Sequence, residues 1–267
     1  MVMVELMKLY IKETGQDNQE TIIFLHGGGL AGWMWEEQVK AFNDYHCLVP
    51  DLPEHGHSLD VKPFTIEGTA KMIVDIIKTR GNCGKAHLVG LSLGAQIIIQ
   101  ILSTAPEVVN HALVSGTLVR SIPHTSTFLK LLDYLIRVYE PVKDTDFFIK
   151  ANMRTYNLPK SFFNDLKEST RLIKPDSLNR ILKENMIFKM PSGLEKADAP
   201  VLVMVGEKDY KILKKSANDL MNVLSNSKGA VALKWGHVWN LESPKLFNIV
   251  LRRWINDIVL PEGVLIS

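Results

Sequence analysis

Short apolar runs rich in Val and Ile recur along the chain, separated by longer stretches of helical period. Thr21 to His26, Tyr45 to Pro50, Ala86 to Gly90, Val109 to Ser115, Pro200 to Gly206 and Ala230 to Trp235 read as strands. Near-continuous hydrophobicity, as opposed to strict alternation, suits strands buried on both faces, so the pattern predicts a mainly parallel sheet covered by helices on either side. Residues 2–14 read as a leading strand or hairpin that ends in the turn-forming stretch Thr14-Gly-Gln-Asp-Asn18. Helices are predicted over Ile66 to Thr79 and Gly94 to Ser103. Ser243-Pro244 supplies the N-cap and first-turn proline of a last helix running to about Ile258.

From about Leu118 to Ala199 this rhythm breaks. The segment contains no convincing buried strand but has helical stretches at Thr125 to Tyr139, Asp144 to Thr155, Lys160 to Lys167 and Asp176 to Phe188, punctuated by Pro141, Pro159, Pro175 and Pro191. It reads as an all-helical insertion between two strands of the sheet. A chain of 267 residues suits one full-sized α/β domain carrying such an insertion better than two equal halves.

Composition narrows the partners. Thirty-one Lys and Arg against 29 Asp and Glu leave a net charge of +2, too little to attract nucleic acid or an anionic membrane by bulk electrostatics, so a small molecule is the expected partner. The two cysteines, Cys47 and Cys83, form neither a disulfide framework nor a CxxC motif. The N-terminus carries Glu5 and Lys8 within its apolar positions and reads as a strand, not a signal peptide. No window approaches the roughly 20 apolar residues that span a bilayer. A soluble, cytoplasmic protein is expected.

The chemistry gathers at the ends of the predicted strands. Gly90-Leu-Ser92-Leu-Gly94 matches G-x-S-x-G between a strand and a helix start, a turn so tight that only glycine fits beside the serine. Ser92 then projects from the carboxyl edge of the sheet as a candidate nucleophile. A serine hydroxyl needs a base. His46, His87 and His111 lie in or at the starts of strands and read as structural, as does His26, which orients its loop. His124 opens the insertion, and His55 and His57 lie in the loop after Pro50. His237 instead follows the last strand, at the same edge as Ser92, and is the candidate base.

A base needs a carboxylate to orient it. Val201-Leu-Val-Met-Val-Gly-Glu-Lys-Asp209 ends a strand in two acids, of which Asp209 is the candidate and Glu207 the weaker alternative. Ser115-Gly-Thr117, at the end of the strand before the insertion, offers no carboxylate. The order Ser, acid, His is the one expected of a single fold. Three glycines after His26 leave bare N–H groups, and the amides of Gly28 and Leu93 are the candidate oxyanion donors. Neither G-x-G-x-x-G nor G-K-[ST] is present to suggest a nucleotide site.

With these residues the sequence resembles the α/β-hydrolase superfamily over nearly its whole length. The resemblance is carried by His26-Gly-Gly-Gly29, Asp51-Leu-Pro-Glu-His-Gly-His-Ser58, the Gly90–Gly94 turn, Gly206-Glu-Lys-Asp209, and Gly236-His237 followed by Glu242-Ser-Pro244. It implies an α/β-hydrolase fold with an eight-stranded, mostly parallel sheet, a core of residues 1–117 and 197–267, and a helical cap over 118–196. It also implies Ser92 as nucleophile, Asp209 as acid, His237 as base, Gly28 and Leu93 as oxyanion donors, and no metal or organic cofactor.

The chain departs from the family pattern in four places. Glu54 stands where the loop after Pro50 usually has glycine, either reshaping that loop or bringing a carboxylate near the pocket. Leu30 replaces a common proline. Leu91 stands where carbon–carbon bond hydrolases of ring-cleavage products usually carry Asn, and Gln96 lies near where the menaquinone-pathway lyases usually have Arg. Arg137, Arg154, Arg171 and Arg180 of the insertion are candidates to bind a carboxylate if one points inward. Trp33, Trp35 and Trp239 read as braces for their loops. The expected function is cleavage of a small to medium apolar carboxylic ester, a carboxylesterase reaction, with a homodimer left open. A carbon–carbon hydrolase and a slow or non-catalytic ligand receptor on the same fold are the alternatives.

Overall fold

The computed structural model describes residues 8–120, 122 and 124–266. Eight strands form one sheet: β1 (Ile11–Thr14), β2 (Thr21–Leu25), β3 (His46–Pro50), β4 (Ala86–Leu91), β5 (Val109–Ser115), β6 (Val201–Gly206), β7 (Ser227–Ala232) and β8 (Val264–Ile266). Their spatial order is β1-β3-β2-β4-β5-β6-β7-β8, and all neighbours are parallel except β1–β3 and β7–β8 at the two edges. This is the α/β-hydrolase fold, with the mostly parallel eight-stranded sheet that the resemblance implies.

Helices α1 (Glu36–Ala41), α2 (Ile66–Arg80) and α3 (Leu93–Thr104) follow β2, β3 and β4, and α4 (Thr125–Tyr139), α5 (Asp146–Thr155), α6 (Phe163–Leu172) and α7 (Pro175–Ile187) all lie between β5 and β6. Helices α8 (Lys211–Val223), α9 (Trp239–Glu242) and α10 (Pro244–Ile255) complete the chain. The strands alternate their side chains between two cores. Ile23 and Leu25 of β2 join α2, α3 and α8 on one face, whereas Ile22 and Phe24 join Trp35, Phe42, Phe247 and Trp254 on the other. Two buried faces explain the apolar runs, and every residue of β2, β3, β4 and β6 is buried.

Local chemistry fixes the boundaries. The Thr65 side chain accepts a hydrogen bond from Gly68 N–H (3.0 Å) and starts α2, with Glu67 in the first turn and Lys78 and Arg80 in the last. Helix α4 occupies Thr125–Tyr139, the stretch its periodicity predicts. Four expectations shift. The helix expected over Lys160 to Lys167 is a 3₁₀ turn at Lys160–Phe162 that leads into α6, which runs on to Leu172. The seventh strand is Ser227–Ala232, not Ala230 to Trp235, because Lys234 adopts a left-handed φ of 72° that ends extended pairing. Ser243 precedes Pro244 but makes no side-chain cap bond, and α10 stops at Ile255. In the leading segment the strand is Ile11–Thr14, and residues 2–7 of that expectation lie outside the described residues. No helix among the described residues is long and apolar enough to cross a membrane.

Candidate active site

The turn from β4 into α3 brings Ser92 to the carboxyl edge. Ser92 has φ 54° and ψ −109°, a strained conformation for a residue with a side chain. The flanking glycines are sterically required: a Cβ on Gly90 would lie 2.6 Å from Gly94 C, and one on Gly94 would overlap the Leu25 carbonyl of β2. The turn is pinned by Ser92 N–H donating to Ser115 O at 2.8 Å. Gln96 is the first residue of α3 to donate back along the helix, to Ser92 O at 3.1 Å. The amides of Leu93, Gly94 and Ala95 therefore have no intrahelical acceptor and face the helix N-terminus, where negative charge is favoured.

His237 and Asp209 meet beside it. His237 Nδ1 lies 2.9 Å from Asp209 Oδ1, and Asp209 Oδ2 accepts from Gly206 N–H at 3.0 Å, so the acid is held at both oxygens. The Asp209 side chain is 1% exposed and that of His237 19%, which leaves the far edge of the imidazole open to the cleft. With Nδ1–H donated to the carboxylate, Nε2 is the free acceptor. Glu207 points elsewhere: its Oε2 accepts from Lys234 N–H at 2.7 Å and tightens the turn after β7. Trp239 braces the same corner, its Nε1–H donating to Ser115 Oγ at 2.9 Å.

A cavity of about 300 Å³ joins these groups. Its wall contains Ser92, His237 and the loop Gly27 to Leu30, and it is otherwise largely apolar, with Leu91, Leu166, Leu178, Val238 and Leu241. Polar groups come from the insertion: Tyr139, Asn152, Tyr156 and Thr170. Gly28 lines the cavity and sits against Leu93, whose Cδ2 lies 3.5 Å from where a Gly28 Cβ would be; the Leu93 side chain itself is fully buried behind the turn. Ser92, His237, Asp209, Gly28 and Leu93 are therefore all brought to one place. Among the described residues no Lys or Arg lines the cavity. Arg171 pairs with Glu168, Arg180 with Glu54, and Arg154 faces a different cleft. Among the described residues no three His, Cys, Asp or Glu side chains group as a metal site.

One residue at the site was not singled out by the sequence. Gly116, just past β5, has φ 59° and lies under the imidazole: a Cβ there would be 2.6 Å from His237 Cε1. Its position at the end of a central strand was the available clue. Glu54 neither lines the cavity nor merely reshapes the loop. It is wholly buried at φ 64°, accepts from Phe64 N–H (3.1 Å) and Ser177 Oγ (3.1 Å), and forms a bidentate pair with Arg180 of α7. Burial alone raises its pKa; the hydrogen bonds from Arg180, Phe64 N–H and Ser177 outweigh that and hold the carboxyl below its ordinary value.

His26 orients its loop as expected. Its Nδ1 faces Gly27 O at 2.9 Å and its Nε2 accepts from Leu52 N–H at 2.9 Å, while complete burial lowers its pKa to about 4 and keeps it neutral. Trp33 joins the same loop to α6 through Nε1–H to Ser169 Oγ at 2.8 Å.

The family model described as the Alpha/beta hydrolase family matches residues 22–248. The chain belongs to the alpha/beta hydrolase family. Among relatives, an AB hydrolase superfamily protein of Gibberella zeae is 28% identical over 253 residues, covering 91% of this chain and 83% of its own length. A putative 2-succinyl-6-hydroxy-2,4-cyclohexadiene-1-carboxylate synthase of Bacillus subtilis is 24% identical over 272 residues, covering 93% and 94%. Among solved structures, a thermophilic esterase from Thermogutta terrifontis superposes with a TM-score of 0.76 at 20% identity, over 93% of each chain. Within this alpha/beta hydrolase the serine turn, the Asp–His pair and the glycine loop all converge on one cavity.

Proposed function

We propose that this alpha/beta hydrolase is a serine carboxylesterase whose substrate is a small-molecule ester with an apolar acyl or alcohol group. The observation that carries the reading is the His237–Asp209 pair at 2.9 Å opening into the cavity that Ser92 also lines. In this reading Ser92 Oγ attacks the ester carbonyl as His237 Nε2 takes its proton, and Asp209 stabilises the imidazolium. The oxyanion of the tetrahedral intermediate accepts hydrogen bonds from the Gly28 and Leu93 amides. The intermediate collapses with loss of the alkoxide, which His237 protonates, leaving an acyl-serine. Water then gives a proton to His237 and attacks the acyl carbonyl, and as this second intermediate collapses His237 returns the proton to Ser92 Oγ, releasing the acid and regenerating the hydroxyl. Residues 118–196 act as the cap that shapes the pocket.

The lining favours ester cleavage over carbon–carbon cleavage of ring-cleavage acids, since no cation faces Ser92 and Leu91 precedes it. The volume, about 300 Å³, lies at the small end of ligand pockets and suits a modest acyl group. The test is fluorophosphonate labelling of wild type and Ser92→Ala, read by intact mass, beside a p-nitrophenyl ester chain-length series. Labelling that disappears in the variant, with kcat falling roughly 10⁴-fold or more, is the expected result. Labelling without ester turnover overturns the esterase reading in favour of carbon–carbon cleavage or a ligand receptor, and absence of labelling overturns the site.

A further inference from the structure

The turn after α5, Tyr156-Asn157-Leu158, separates the Ser92 cavity from the outside of the insertion. Asn157 has a left-handed φ of 49°, which folds the chain back so that Leu158 N–H donates to Met153 O at 2.8 Å. Leu158 is thereby fixed between two spaces. One of its sides lines the Ser92 cavity, and another lines an outer cleft of about 560 Å³. The two spaces differ in charge. Among the described residues the Ser92 cavity has no Lys or Arg, whereas the outer cleft carries Lys150, Arg154 and Lys160 and no carboxylate. Its floor is apolar, from Met153, Leu158 and Phe163, and Lys150 Nζ sits 5.7 Å from the centre of the Phe163 ring.

We infer that the outer cleft is a subsite for an anionic group, a carboxylate or a phosphate, at the far end of the ester whose carbonyl reaches Ser92. Three cations with no carboxylate among the described lining residues give a site that attracts an anion, the one acid that interacts with Lys150, Asp146, being paired with Lys167 at 2.7 Å, and the apolar floor suits the chain that leads to it. Leu158 is the shared wall past which such a chain runs. The substrate class this defines is an apolar acyl chain ending in an anion, and the inference rests on Ser92 being the nucleophile of the proposed esterase. The cleft is open to solvent, so the attraction is screened by salt on a scale of about 10 Å at 0.1 M.

The experiment compares p-nitrophenyl esters of linear fatty acids with p-nitrophenyl monoesters of dicarboxylic acids and of ω-phosphorylated acids of equal chain length. Wild type and the Lys150→Ala/Arg154→Ala/Lys160→Ala triple variant are assayed at low and high salt, with circular dichroism as a check on folding. At one chain length the anionic ester is expected to show a KM roughly tenfold below its neutral partner with similar kcat. In the triple variant, and at high salt, the ratio of the two kcat/KM values collapses toward one. The better of the carboxylate and phosphate arms identifies the group.

A preference for the neutral ester at every length overturns the inference, as does an anion preference that the triple variant retains. Calorimetric binding of the anionic ester to Ser92→Ala, with and without the three substitutions, separates the two readings. Saturable binding that the three substitutions abolish supports the subsite even if wild type turns over no ester, in which case it is the esterase reading that fails. No binding to Ser92→Ala overturns the subsite.

Discussion

Gly116 lacks a side chain at the one place where His237 needs the room. Its φ of 59° and the 2.6 Å separation between a Cβ there and His237 Cε1 mean that Gly116→Ala must push the imidazole away from the serine turn. Displacements of the order of 1 Å in a catalytic group cost about a hundredfold, so kcat for an ester is expected to fall by roughly 10²-fold with little change in KM. A variant with wild-type kcat would show that the ring is free to shift without loss. Asp209→Asn tests the adjacent contact. The amide keeps the shape but offers Nδ1 the wrong partner, and turnover is expected to fall roughly 10³ to 10⁴-fold while the fold is kept. Glu207 has no route to take over, because its carboxylate is committed to Lys234 N–H at 2.7 Å. Near-normal turnover in Asp209→Asn, measured as steady-state kcat, would reverse that assignment.

At the scale of elements, α7 is tied to the sheet-bearing core through polar side chains. Three polar contacts hold it: Glu54 with Arg180 and Ser177, Glu184 Oε2 accepting from Ile66 N–H at 2.8 Å, and Gln96 bonded both ways with Asn185. The Glu54 side chain is 0% exposed and that of Arg180 39%, so the two ends of their pair are not equivalent. Arg180→Ala strands a buried carboxylate and is expected to cost roughly 3–5 kcal/mol. Glu54→Gln leaves a guanidinium that water can reach, and about 1–3 kcal/mol is expected. Urea unfolding of the two variants tests the order; a larger loss for Glu54→Gln would contradict it.

How far these elements could be read in advance depended on range. The strands with two buried faces, the serine turn and α4 announce themselves locally, through composition or period. The limits of β7 turn on the backbone of Lys234 and its bond to Glu207, and β8 is three residues long at an edge, too short for any period. The triad candidates were legible because each ends a strand at the same edge. Gly116 was not, since a glycine after a strand looks like any turn. Neither was the Glu54 clamp, whose partner Arg180 is 126 positions away.

At the scale of the molecule, three histidines are folded away in neutral form, and this sets how the protein responds to acid. His26 and His55 stand 5.0 Å apart, ring centre to ring centre, beside the loop after β3, with the charges of Asp51 and Glu54 acting on His55. His87 lies at the opposite, amino edge of the sheet, 5.2 Å from His111 and facing Glu20 and Asp257. Burial is the main cause in each case, holding His26 and His87 at about 4 and His55 at about 3; the neighbouring His26 adds to the effect on His55, and His111 to that on His87. The nearby carboxylates only partly offset it. In the unfolded chain all three titrate near 6.5. Below that pH the unfolded state binds more protons than the folded state, so stability is complete above about 6.5 and is lost as pH falls toward 4. Each histidine adds a slope of up to about 1.4 kcal/mol per pH unit across that window. Urea midpoints measured from about pH 7 down to about pH 5 are therefore expected to fall steadily, and His87→Phe is expected to flatten the decline by up to a third of the slope, since it removes one of the three groups. A stability that stays level over this range would mean that these rings take up protons in the folded state, which their burial opposes. The same window bounds activity measurements: a loss of turnover on acidification reports on the site only where the unfolding data show the chain still folded.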